Sequence, residues 1–178
     1  MKGIIYTMLV VALSSLSACH VVRVHTDYEK ETDFSNYATY NYYSDMETGL
    51  GELEEKRFLN VLDMAMQTKG LRLSEEPDFL INIQSRFYQT PRNNSVGLGV
   101  GGVGRNVGGG VSVGIPVGQA KVQREIIFDF VDSQKEQLFW QATSKSGFNE
   151  KATPVERERK LKDIVAKVLS KYPPKSKQ

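Results

Sequence analysis

Residues 122–148 read VQREIIFDFVDSQKEQLFWQATSKSGF. Val122, Ile126, Phe128 and Phe130 alternate with more polar neighbours, and Leu138, Trp140, Ala142 and Phe148 do the same further on. That is the period-two pattern of strands with one buried face. Between the two runs, Asp132–Gln137 is polar and short enough to close them into a hairpin. Phe79, Ile81, Ile83 and Phe87 repeat the alternation upstream, and Val22–Tyr28 and Thr39–Tyr43 are weaker strand candidates.

Two helices complete the pattern. Phe58, Val61, Leu62, Ala65 and Met66 recur at helical spacing behind Glu52, Glu54 and Glu55, and Lys69-Gly70 supplies a basic last turn and a stop. In the second, Thr153, Pro154 and Glu156 form an N-cap, a first-turn proline and a capping-box partner. Leu161, Ile164, Val165, Val168, Leu169 and Tyr172 then make one apolar stripe before Pro173-Pro174 ends the helix. Each helix has a single apolar face to bury. The simplest assembly is an α+β fold, an antiparallel sheet of about five to six strands with both helices packed on one face.

The opposite face then carries Leu80, Tyr88, Ile127, Val131 and Phe139, with Tyr37, Tyr40, Tyr42 and Tyr43 as candidates to join it. Two readings stand. Loops or the N-terminal segment cover these side chains, or they form a partner surface, since contiguous exposed apolar area usually marks an interaction site.

Between the strands, residues 93–120 hold ten of the chain's 15 glycines, and Arg105 is their only charge. Gly97-x-Gly99-x-x-Gly102 matches a dinucleotide-binding fingerprint, but no helical pattern follows it and Pro116 interrupts the stretch, so nucleotide binding is not expected. Val96, Leu98 and Val100 on one arm and Val111, Val113, Ile115 and Val117 on the other alternate with period two. The segment reads as a glycine-rich insertion between strands, either a flexible loop or a hairpin with its tip near Arg105-Asn106.

The N-terminus has a different logic. Met1 and Lys2 start it, Ile4–Leu13 is apolar, and Ser14–Ala18 is a small-residue exit, the layout of a secretory signal peptide. Leu16-Ser17-Ala18-Cys19 resembles the cleavage motif of a bacterial lipoprotein signal. That resemblance implies removal of residues 1–18 and acylation of Cys19, the only cysteine, at its sulfur and its new amine. Three acyl chains hold a protein at a membrane far more firmly than one, at about 0.8 kcal/mol per buried methylene. His20 follows the cysteine where an aspartate would resemble an inner-membrane retention signal, which favours the outer membrane and its periplasmic side.

On this reading residues 19–178 form a single domain with a short basic tail at 173–178. Loss of Lys2 takes the formal net charge from +2 to about +1, which gives no general attraction to nucleic acid. A lipidated cysteine leaves no thiol for a disulfide, so the fold rests on its core. Chemistry is scarce. His20 and His25 are the only histidines, Ser144, Ser146 and Ser95 lack a nucleophile-elbow context, and Asp129 and Asp132 flank a strand end and a turn. No cofactor, metal or catalytic residue is expected.

Asp27-Tyr28, Asp33-Phe34-Ser35-Asn36-Tyr37 and Thr39-Tyr40 resemble the opening of the lipoprotein family catalogued as domain of unknown function 4136. Lys69-Gly70-Leu71, Glu76-Pro77-Asp78-Phe79-Leu80, the run from Ile126 to Asp132, Leu138-Phe139-Trp140 and Tyr172-Pro173-Pro174 follow in the same order. The resemblance implies a bacterial envelope lipoprotein with an α+β domain, often with a glycine-rich insertion, and transfers no site residue, cofactor or ligand. Arg124-Glu125 and Gln141-Ala142 depart from the small residues expected there. The resulting expectation is a lipid-anchored, non-enzymatic envelope module that binds an envelope protein partner through a sheet face or the glycine-rich arm. The alternative is an enzyme or a small-ligand or lipid carrier in the periplasm.

Overall fold

The computed structural model describes residues 22–90, 95–97, 114–116 and 121–175. Eight strands and two α-helices are placed among them: β1 (Arg23–Tyr28), β2 (Thr39–Tyr42), α1 (Glu52–Thr68), β3 (Arg72–Leu73), β4 (Phe79–Thr90), β5 (Ser95–Gly97), β6 (Gly114–Pro116), β7 (Lys121–Asp132), β8 (Leu138–Gly147) and α2 (Pro154–Leu169). Six strands form one sheet in the order β1-β8-β7-β4-β2-β3, while β5 and β6 pair antiparallel with Val96 opposite Ile115. The rest of 93–120 lies outside the described residues, and with it the choice between loop and hairpin. Residues 176–178 of the basic tail lie outside them as well.

The sheet is mixed, which corrects the expectation of a purely antiparallel one. β2 runs parallel to both β3 and β4, with Tyr40 opposite Phe79 and Tyr42 opposite Ile81. The physical reason is that α1 lies between β2 and β4 in the chain, and a strand–helix–strand connection returns the chain in its original direction. Beyond β2 the chain continues irregularly along β4, where Ser85 N–H donates to the Thr48 carbonyl at 2.7 Å.

Both helices cover one face. Phe58, Val61, Leu62 and Met66 of α1 and Leu161, Ile164, Val165, Val168 and Leu169 of α2 pack on Phe79, Ile81, Ile83, Ile126, Phe128, Phe130, Trp140 and Ala142. α2 starts as read from sequence, with the Thr153–Glu156 capping box and Pro154 in the first turn. α1 ends before Gly70, whose φ of +84° suits glycine. β4 and β7 stay in register over twelve residue pairs, from Phe79 opposite Asp132 to Thr90 opposite Lys121.

One irregularity changes the expected facing. The β7–β8 ladder shifts by a residue, with Phe130 opposite Trp140 but Val131 opposite Leu138, leaving Phe139 as an extra residue on β8. A bulge of this kind sets neighbouring side chains on one side. Phe139 and Trp140 are both buried and Leu138 is half exposed. Phe139 therefore does not stand on the open face with Leu80, Tyr88, Ile127 and Val131. It stacks on Tyr37 with centroids 4.0 Å apart and meets Phe34, Phe79 and Phe130 in the aromatic end of the core.

Candidate functional site

The sheet face turned away from the helices is built in rows, because each register line sets one residue from every strand side by side. One row reads Arg86, Glu125, Lys145, Arg23; the next Gln84, Ile127, Thr143, His25; the next Asn82, Asp129, Gln141, Asp27. Leu80, Val131 and Leu138 end the series. Ile127, Val131, Leu80 and Tyr88 are half-buried here. Leu80 and Val131 adjoin as register partners, but the Asn82–Asp129 row sets Ile127 apart from them and the Arg86–Glu125 row sets Tyr88 apart from Ile127, so the four do not form one continuous apolar patch.

A broad open trough of about 890 Å³ runs along this face. β4 contributes Asn82, Gln84 and Ser85, β7 contributes Asp129 and Val131, β8 contributes Leu138, and the stretch after β2 raises one wall with Tyr43, Asp45, Met46 and Glu47. Gln141 Nε2 donates to Asp129 Oδ1 at 2.6 Å, which orients that carboxylate, and the three charged lining residues are all acidic. Two rows from Asp129, Glu125 is buried between Arg86 and Lys145, with Lys145 Nζ at 3.0 Å. Burial opposes its charge, but the hydrogen bonds and charges of Lys145 and Arg86 outweigh burial and hold it below the usual glutamate value.

Three further clusters hold the site's frame. Tyr40 and Tyr42 both donate to Asp63 Oδ1, at 2.8 and 2.6 Å, and tie β2 to α1. Burial, then that hydrogen bond and the carboxylate's charge, push both phenols above their ordinary value. Tyr37 donates to Asp132 Oδ2 at 2.8 Å and is pushed up to about 12, by burial first and Asp132 next. At the far end of β7, Arg124 reaches to the helix side and grips Glu54 of α1 through two bonds of 2.7 and 2.8 Å. Its guanidinium carbon lies 4.9 Å from the centre of the Phe87 ring and 4.5 Å from that of Phe148. Arg124 and Glu125 are thus both buried and both paired, on opposite faces of an unbroken strand.

The trough offers hydrogen-bond acceptors, donors and a short apolar rim, a surface suited to binding a polar partner. Ser85 is its only hydroxyl on a β-strand, and His25, the one histidine among the described residues, sits on β1 with β7 and β8 in between. No group of three or more His, Cys, Asp or Glu side chains is placed to hold a metal ion among the described residues, and no described helix is long and apolar enough to cross a membrane. Leu16, Ser17, Ala18 and Cys19 lie outside the described residues.

Strand alternation already sets Asn82, Gln84 and Asp129 on the face opposite the core; Asp129 stands out in the sequence as a carboxylate near a strand end, while Asn82 and Gln84 carry only the alternation signal. The wall at Tyr43–Glu47 carried none, because it follows an irregular path beside β4.

Among curated proteins, none matches this sequence. The chain is similar in fold to a PDZ domain protein from Parabacteroides distasonis, with a TM-score of 0.56 and 14% identity over 94% of this chain and 40% of that one. It therefore spans about two fifths of that protein's length. A PelC dodecamer subunit from Paraburkholderia phytofirmans aligns with a TM-score of 0.46 and 10% identity, over 84% of this chain and 96% of that one. The sequence profile of the domain of unknown function DUF4136 matches residues 24–174, nearly all of the described fold, and the chain belongs to that family.

Proposed function

We propose that the protein is a lipid-anchored module of the bacterial envelope, facing the periplasm from the outer membrane, that binds an envelope component without transforming it. The observation that carries this reading is the trough: one whole sheet face stands clear of both helices and presents Asn82, Gln84 and Asp129 beside Val131 and Leu138. Ligand and partner sites are concave surfaces on which a few placed polar groups fix orientation, and Gln141 holds Asp129 in such a position here. A partner matched to it carries hydrogen-bond donors and positive charge. The anchor rests on the Leu16-Ser17-Ala18-Cys19 motif, and Cys19 is the residue proposed to carry the lipid.

Two experiments test the proposal. In the first, Cys19→Ala moves the full chain from the membrane to the soluble fraction and abolishes fatty-acid labelling; labelling that persists in the variant refutes the anchor. In the second, a photo-crosslinking residue at Gln84 captures a specific partner in cells. The charge- and amide-removing variant Asn82→Ala/Asp129→Ala loses that partner, while deletion of 93–120 retains it. If the face variant captures the same partner and the deletion loses it, binding belongs to the glycine-rich arm instead of the sheet.

A further inference from the structure

β1 ends the sheet on one side, paired with β8 and, among the described residues, with nothing beyond. Tyr28 stands opposite Trp140, and the next residue, Glu29, donates its N–H to the Phe139 carbonyl. Hydrogen-bonded positions alternate along an antiparallel ladder. Asp27, His25 and Arg23 therefore bond toward β8, and the backbone groups of Val24, Thr26 and Tyr28 point outward. The Tyr28 N–H agrees, since it turns to its neighbour's Asp27 Oδ1. Such an edge is a template for another strand, and Arg23–Tyr28 contains no proline, lysine or bulge to blunt it.

The side chains select the strand that fits. Arg23, His25 and Asp27 are exposed on the open face. Arg23 stands opposite Lys145, a like charge already engaged with Glu125, and makes no ion pair among the described residues. Asp27 stands opposite Gln141 and makes no ion pair among the described residues. An antiparallel copy of the same strand, centred on His25, brings each of these charges the partner it lacks. It also sets the outward-pointing Val24 and Thr26 opposite each other, as a ladder requires.

We propose that β1 is a self-recognition edge, through which two copies of the chain pair antiparallel about a two-fold axis at His25, each Arg23 facing the partner's Asp27, to join two six-stranded sheets into one. The interface is of the strand-addition kind, in which main-chain bonds give affinity and side chains set the register. It is small, and belongs among weak, transient contacts.

The full chain carrying His25→Cys tests it, because the axis residue is a non-hydrogen-bonded pair with Cα atoms about 4.5 Å apart, within disulfide range. Mild oxidation yields a disulfide-linked dimer on a non-reducing gel, equally in a Cys19→Ala background, while Thr26→Cys, which points to the other face and is out of register with its copy, does not. In the His25→Cys chain, Arg23→Asp and Asp27→Arg each lower the linked fraction at least about tenfold, or about 1.4 kcal/mol. The double swap restores it. Residues 23 and 27 lie about 13 Å apart along one strand, so restoration has to come from a second copy. Far-ultraviolet circular dichroism and thermal midpoint, unchanged in all variants, show that the exposed substitutions leave the fold intact. Absence of the His25→Cys dimer, equal linkage through Thr26→Cys, or a double swap as weak as its parents overturns the proposal.

Discussion

Replacing Glu54 by glutamine removes one charge from a pair that water scarcely reaches. The side chain of Arg124 is 5% exposed and that of Glu54 11%, and two hydrogen bonds of 2.7 and 2.8 Å join them. A buried guanidinium left without its carboxylate costs about 3–5 kcal/mol, because the desolvation penalty of the cation stays while its compensation goes. With a urea slope of roughly 2 kcal/mol/M, the unfolding midpoint falls by about 1.5–2.5 M. The pair itself is a different matter. Glu54→Leu combined with Arg124→Met removes both charges, and a methionine between Phe87 and Phe148 keeps a favourable contact with the rings. The double variant should lie within about 1 kcal/mol of the parent, since apolar replacement of a whole buried pair is often neutral or stabilising. Glu158→Gln, which breaks an exposed pair with Lys162, should leave the midpoint in place. A Glu54→Gln cost under about 1 kcal/mol, or a double variant no more stable than the single, would show that Arg124 does not depend on Glu54 for compensation of its buried charge.

Other outcomes follow from the same structure. Phe139→Ala should cost about 3–5 kcal/mol and Leu138→Ala under about 1, measured by thermal melts; equal costs would show that the bulge does not turn Phe139 inward. Gly49 has a φ of +69°, and a Cβ there meets the Ser85 carbonyl oxygen at 2.6 Å. Gly49→Ala should therefore destabilise by about 1–3 kcal/mol, whereas Gly51→Ser, at an open N-cap, should gain a few tenths; a neutral Gly49→Ala would contradict the close approach. Burial opposes the charge of Asp132, but the Lys135 and Gln134 amides and the Tyr37 hydroxyl outweigh it and lower its titration in the folded state. The unfolded chain then binds the proton first as pH drops. The stabilisation is complete above the unfolded aspartate value of about 4 and fades as pH falls through the folded one. Asp132→Asn should flatten the stability profile below pH 4, and a profile as steep as the parent's would remove Asp132 from the account.

The helices, the hairpin and the core face were legible because each obeys a local rule: the Thr153–Glu156 box starts α2, Gly70 closes α1, and Ile81, Ile83, Phe128 and Phe130 alternate without a break. What escaped depends on distance in sequence. The parallel setting of β2 is a property of the β2–α1–β4 path as a whole. Alternation counted through the bulge assigns Phe139 to the open face and Leu138 to the core, since the extra residue breaks the phase at the start of β8, while Trp140 and Ala142 beyond it keep the faces that alternation gives them. Arg124 and Glu125 read as departures from a family pattern, and only the fold shows that Glu54, 70 residues away, and the flanking Arg86 and Lys145 accommodate them. On the open face, the rows of Asn82, Asp129 and Gln141 are implied by alternation, but the trough they floor needs the irregular wall from Tyr43 to Glu47.

The unbroken β4–β7 ladder has a consequence for chain length. Because Thr90 stands opposite Lys121 at the end of twelve registered pairs, the points where the glycine-rich segment leaves and re-enters are fixed by the domain, whatever lies between them. Closing a loop between two fixed points costs only about 0.6 kcal/mol more for each doubling of its length. Insertions, deletions or whole exchanges between these residues are therefore nearly free to the folded domain, and the sheet end acts as a port at which new segments can be tried without renegotiating the core.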